Sequence, residues 1–130
     1  MKIEREQPDG RNAFSGYGEG YVEVNRTRYQ QSLVVSAERL VTDWPAESID
    51  ALCADHLAAI LELAPEIVLL GTGAAFSFPE PALLAPLRKA GIGVEVMDTP
   101  AACRTYNILL GEGRNVVAAI IVTPSQDGAQ

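Results

Sequence analysis

The stretch from Gly91 to Val122, GIGVEVMDTPAACRTYNILLGEGRNVVAAIIV, constrains the fold more than any other part of the chain. Gly93 to Met97 reads as a short strand. Asp98 and Thr99 then supply helix-capping side chains, and Pro100 falls at the first helical position, where a missing N–H costs nothing. Ala102, Cys103, Tyr106, Leu109 and Leu110 share one helical face, with Arg104, Thr105 and Asn107 around the other side. Gly111 and Gly113 end the helix. Arg114 to Val122 is apolar enough to lie in the middle of a sheet, buried on both faces.

The preceding chain supplies matching pieces. Glu66 to Leu70 is another continuous apolar run of strand length, followed at once by Gly71-Thr72-Gly73 and a loop with Phe76 and Phe78. A short helix is predicted over 80–90, with Pro81 in its first turn and Pro86 expected to distort or shorten it. Before these, Ser48 is the predicted N-cap of a helix reaching about Leu63. Its stripe is Ile49, Leu52, Cys53, Leu57, Ile60, Leu61 and Ala64. His56 lies on that helix and reads as a boundary residue. Further upstream, Tyr17 to Val24 and Thr27 to Val35 read as the two strands of a hairpin turning at Asn25-Arg26. Residues 39–45 read as a connection, with Trp44 as a packing lid.

The order hairpin, helix, strand, helix, strand, helix, strand places Glu66–Leu70 and Gly93–Met97 as parallel neighbours. One domain is expected over residues 14–123, with a flexible N-terminus over 1–13 and a flexible tail over 124–130. At 130 residues the chain can bury roughly two-thirds of its unfolded surface.

The formal charge of -7 repels phosphate backbones and anionic lipid, which argues against a nucleic-acid partner. Its apolar runs are too short for membrane insertion, the first residues do not read as a secretory or transit signal, and the two lone cysteines, Cys53 and Cys103, read as reduced, small buried residues. The expected location is cytoplasmic.

The segments LLGTG and GVEVMDTPAACRTYNILLGEGRNVVAA resemble the domain-of-unknown-function family 498, whose fold is called Mth 938-like. The most specific block is M-D-T-x-x-A-x-x-T-Y-N followed by E-G-R, here Met97, Asp98, Thr99, Ala102, Thr105, Tyr106, Asn107, Glu112, Gly113 and Arg114. The resemblance spans residues 16–122. It implies an α/β fold of three layers, a mixed central sheet with an antiparallel last strand, and an N-terminal β-hairpin at one side. It carries no established enzymatic activity. A mitochondrial relative, complex I assembly factor three, implies a role through protein contacts, so a protein partner is expected here.

One crevice stands out. With the two strands parallel, the Gly71–Gly73 turn and the Thr99 helix start flank the carboxyl ends of the sheet, the usual ligand position in open α/β folds. N–H groups at the helix start favour a small anion, and Arg104, Thr105 and Asn107 are further donors. The candidate ligand residues are therefore Gly71, Thr72, Gly73, Asp98, Thr99, Arg104, Thr105 and Asn107. These residues also admit a purely structural reading, in which Thr99 caps its helix and Asn107 ties a neighbouring loop. No catalytic residue, metal site or cofactor is predicted, because the single histidine lies on another helix and no zinc-type spacing surrounds it. Cys103 lies near a helix start, where a thiol pKa can be lowered, but packing explains it more simply.

Two functions follow. The first is an interaction or assembly protein, with the Phe76–Pro79 loop and Tyr17, Tyr21 and Tyr29 as contact candidates. The second is a small-molecule or anion-binding protein, or a weak enzyme, using the crevice.

Overall fold

A computed structural model describes residues 10–123. Most of the expected flexible N-terminus and all of the tail lie outside the described residues. Four residues of the expected lead-in, 10–13, fall inside, and three of them are tied down: the Arg11 guanidinium donates to Leu110 C=O at 3.0 Å, Asn12 N–H to Ala37 C=O at 2.9 Å, and Ala13 N–H to Asn25 Oδ1 at 3.1 Å.

The N-terminal sheet has three antiparallel strands, β1 (Phe14–Gly18), β2 (Tyr21–Val24) and β3 (Thr27–Tyr29). The β2–β3 hairpin turns at Asn25-Arg26, both with positive φ, 49° and 72°, as the mirror-image two-residue turn requires. The run from Tyr17 to Val24 is not one strand. Gly20, at φ +81°, lets the chain reverse after Gly18, so Gly18 pairs with Tyr21 and Tyr17 with Val22.

The run to Val35 is also broken. β3 stays in the small sheet, and β4 (Leu33–Val35) enters a five-stranded sheet of order β5-β4-β8-β6-β7. Ser32, at the break, is buried and accepts the Val122 N–H on its hydroxyl at 2.9 Å. The segment read as a connection contributes β5 (Leu40–Val41), paired antiparallel with β4.

Helix α1 spans Ala54–Leu61, shorter than its apolar stripe suggested. Ser48 caps only a separate turn, accepting the Ala51 N–H at 3.2 Å. Cys53 is extended (φ -140°, ψ 175°) and restarts the chain as the true cap. His56 Nδ1 accepts the Cys53 N–H at 3.0 Å, in the place a glutamate takes in a capping box. The lone histidine thus has a structural partner, and the buried Trp44 indole donates to the His56 C=O at 3.0 Å.

Strands β6 (Ile67–Gly71) and β7 (Gly93–Met97) are parallel neighbours, with Leu70 opposite Val96 and Gly71 opposite Met97. α2 (Pro81–Lys89) joins them and continues three residues past Pro86. α3 (Thr99–Gly111) leads to β8 (Val116–Ile120), which is antiparallel to β4 and parallel to β6. A helical crossover returns the chain in its original direction, so β8 matches β6 and β7. The opposite run of β4 makes the sheet mixed.

Both faces of this sheet are covered, giving three layers. Val34, Val68, Leu70, Val117, Ala119 and Ile121 point toward α1 and α2. Leu33, Val35, Leu69, Ala118 and Ile120 meet α3 and the small sheet. Every residue of β8 is buried, which explains its lack of alternation.

Candidate functional site

The crevice at the carboxyl ends of β6 and β7 forms where the strand pairing places it. Thr72 N–H donates to Met97 C=O at 2.9 Å, and Thr99 N–H to Gly73 C=O at 2.8 Å. Gly71 allows this approach: a Cβ there would lie 3.0 Å from the Thr99 hydroxyl and 3.1 Å from its Cα.

The helix start is chemically closed. Asp98, not Thr99, is the cap, its carboxylate accepting the Ala101 N–H at 2.8 Å. Thr99 N–H is bonded to Gly73, Pro100 has none, and Ala102 N–H donates to Asp98 C=O at 3.0 Å. The Thr99 hydroxyl accepts from Gly73 N–H at 2.9 Å and donates to Ile121 C=O at 2.8 Å. The N–H groups on which the anion reading relied all have internal partners, and a carboxylate sits among them. The Thr72 hydroxyl is likewise engaged, donating to Ala75 C=O at 2.8 Å and accepting the Ser77 N–H at 3.2 Å.

Gly71, Thr72, Gly73, Asp98 and Thr99 therefore come together, whereas the three residues farther along α3 do not join them. The Arg104 guanidinium donates to the Tyr17 hydroxyl at 2.8 Å. Asn107 binds the backbone of Phe14 through both ends of its amide. Thr105 is half-buried and makes no side-chain hydrogen bond with a described residue.

Beside the Gly73–Thr99 contact lies an open cleft of about 460 Å³. One wall is the β1–β2 turn with Tyr17 and Tyr21. The other is Gly73, Ala74, Pro100 and the chain just past β8 at Ile121, Val122 and Thr123. Sequence reading missed both the turn and the chain past β8. A signal for the turn was present in the spacing of Gly18 and Gly20. The Arg28 guanidinium lies 3.7 Å from the centre of the Tyr21 ring, on which it stacks. The cleft is thus walled mainly by rings and aliphatic groups, a lining suited to apolar contact.

Among the described residues that line it, the ionisable side chains are Tyr17, Glu19 and Tyr21. Burial pushes the Cys103 thiol up to about 12, against a smaller opposing pull from Arg104, in line with the packing reading of this residue. Burial also raises the Tyr106 phenol. Among the described residues, no group of three His, Cys, Asp or Glu could hold a metal ion.

On the loop after Ala74, Phe76 and Phe78 are 47% and 77% exposed and stack edge to face, ring centres 4.7 Å apart. The loop turns two phenyl rings toward solvent instead of into the core.

The model of the family described as "Protein of unknown function (DUF498/DUF598)" matches residues 14–121. The chain belongs to this family. It is 33% identical over 122 residues to the "13 kDa major membrane protein" of Francisella tularensis, covering 93% of this chain and 99% of that protein. It is 35% identical to "NADH dehydrogenase [ubiquinone] 1 alpha subcomplex assembly factor 3" of Bos taurus over 124 residues, 94% of this chain and 66% of the bovine protein. The match to the human factor spans 47% of its length, so this chain covers only half to two-thirds of these longer relatives. A solution structure of a Mth938-like domain from Bordetella pertussis superposes with a TM-score of 0.81 at 32% identity, covering 100% of this chain and 98% of that one. The expected fold is therefore the family's fold. No helix among the described residues is long and apolar enough to cross a membrane.

Proposed function

We propose that this chain is a non-enzymatic interaction protein, of assembly-factor type, that holds a protein partner at the carboxyl-end face of its five-stranded sheet. The observation that carries the reading is the solvent-exposed Phe76–Phe78 pair, two residues beyond the apolar cleft. Burying large aromatic side chains is the commonest source of interface energy, and here the rings stand ready at no unfolding cost. The assembly-factor relatives support the same class of role. A cytoplasmic location belongs to this proposal, supported by the free thiols Cys53 and Cys103 and tested by cell fractionation.

The test is comparative affinity capture from the native cell with wild-type protein and with Phe76→Ser/Phe78→Ser. Both positions are exposed, so the variant keeps the fold. The reading expects a discrete set of proteins to be retained by the wild type and lost from the variant. An identical set on both would overturn it.

The cleft volume favours one second reading, a small apolar or aromatic ligand seated between Tyr21 and Pro100. An anion is disfavoured because the local N–H groups are taken. Titration of indole should then move the amide resonances of Gly73 and Thr123, whereas millimolar phosphate should leave Gly73 and Ala101 in place. Shifts with phosphate alone would reverse that preference.

A further inference from the structure

The five-stranded sheet ends at β7, and that edge is open. Gly93 N–H donates to Glu66 C=O at 3.1 Å, and Met97 C=O accepts from Thr72 N–H. In a parallel ladder these directions alternate along the strand, so Gly93, Glu95 and Met97 bond inward to β6. Val94 and Val96 turn their N–H and C=O groups off the sheet. No described residue pairs with those four groups. Both valines are only half-buried, although they continue the apolar layer facing α1 and α2. On the opposite face Met97 is half-buried against the α3 core. An added strand would cover all three.

Glu95 stands exposed at the centre of this edge and makes no hydrogen bond or ion pair with a described residue. Its charge decides the occupant. Antiparallel pairing with a second copy, centred on the strand, would set Glu95 against itself, and like charges directly opposite are destabilising. A foreign strand with lysine or arginine at that position gains a cross-strand ion pair, and the chain's charge of -7 draws such a segment in. We propose that β7 is a docking edge for an extended segment of a partner protein, apolar in alternation and basic opposite Glu95.

The probes are two blocked heptapeptides, VTVKVTV and VTVEVTV, titrated into isotope-labelled protein. The lysine peptide should shift and protect the amides of Val94 and Val96 and bind on the order of fivefold more tightly than the glutamate peptide. Glu95→Lys, at an exposed position, should reverse that preference. Val96→Pro should abolish binding while keeping the β6 ladder, because the N–H it removes points off the sheet. Phe76→Ser/Phe78→Ser should leave peptide binding unchanged, which separates this edge from the aromatic surface. Equal affinity for both peptides, shifts confined to other strands, or a dimer protecting Val94 and Val96 without peptide would each overturn the proposal.

Discussion

Asn107 holds Phe14 as a neighbouring strand would. Its Oδ1 accepts the Phe14 N–H at 2.9 Å, and its Nδ2 donates to the Phe14 C=O at 2.8 Å. One side chain on α3 thus pairs the first residue of β1 and anchors the small sheet to the large one. The Tyr106 hydroxyl adds a bond to Asn12 C=O at 2.9 Å, and its ring meets Phe14 edge to face at 5.3 Å. Tyr106 and Asn107 of the T-Y-N motif are a clasp for the N-terminal sheet. Asn107→Leu should cost about 2 kcal/mol, since both Phe14 groups lose their partner. Asn107→Asp keeps the acceptor for the Phe14 N–H but sets a carboxylate oxygen against the Phe14 C=O, so at neutral pH it should cost at least as much as the leucine variant. Urea unfolding measures both, and wild-type stability in the leucine variant would refute the clasp.

Thr99 and Asp98 should separate cleanly in mutation. Asp98→Ala removes the cap and should cost about 1 kcal/mol. Thr99→Val leaves the Gly73 N–H and the Ile121 C=O unsatisfied beside a buried methyl, and should cost about 2–4 kcal/mol. Thr99→Ser keeps the hydroxyl and should recover most of that loss. Thermal unfolding of the three variants checks the order; a valine variant milder than Asp98→Ala would show that the hydroxyl is not the bridge.

The β6–β7 pairing and the α3 start were legible because both depend on local signals, an apolar run ending in glycine and a D-T-P cap. The break between β3 and β4 was not. Nothing in Thr27–Val35 says that its halves join different sheets, since the cause lies in Ser32 bonding Val122, 90 positions away. The early start of α1 failed for a similar reason. Ile49 and Leu52 do face the core, but from a separate turn, so helical spacing described their burial and not their backbone. At the crevice, the strand order brings Gly71–Gly73 beside Thr99, and the hydrogen bonds of Thr99 and Asn107 agree with the structural reading of those residues. Whether an N–H is free depends on what packs against it.

Gly71 is a steric prediction. A Cβ would press on the Thr99 backbone as well as on Ile120 Cδ1, and a backbone cannot rotate away. Gly71→Ala should therefore destabilise by about 1–3 kcal/mol through overpacking. The amide resonances of Gly73 and Thr99 should move with it. Gly111→Ala, where nothing lies within 4 Å, is the control and should be neutral or better.

The two thiols should differ in reactivity. Cys53, expected to be buried, is exposed because it caps α1 from outside its apolar face, whereas Cys103 is buried with its thiol raised to about 12. At pH 8 a disulfide reagent should label one thiol rapidly in the folded chain and the second only after denaturation. Rapid labelling of both in the native protein would mean that α3 opens readily, or that Cys103 serves a chemistry its surroundings do not suggest.

Glu66 and Arg114 join the amino end of β6 to the turn before β8, with two guanidinium contacts at 2.9 and 2.7 Å and the Asn115 N–H at 3.3 Å. The Arg114 hydrogen bond comes first, and the Asn115 N–H second, in holding the Glu66 carboxyl below its ordinary value. A lowered carboxyl stabilises the fold above the unfolded glutamate pKa of about 4.3, and that contribution disappears as pH falls through the folded value. The pair is solvent-exposed, so its effect is modest and weakened by salt. Glu66→Gln should accordingly be less stable than wild type at pH 7, and the gap should close as pH falls through the lowered Glu66 value. Carbon-detected titration should show the Glu66 midpoint rising in Arg114→Ala; an unmoved midpoint would mean that the E-G-R arginine does not hold this carboxylate in solution.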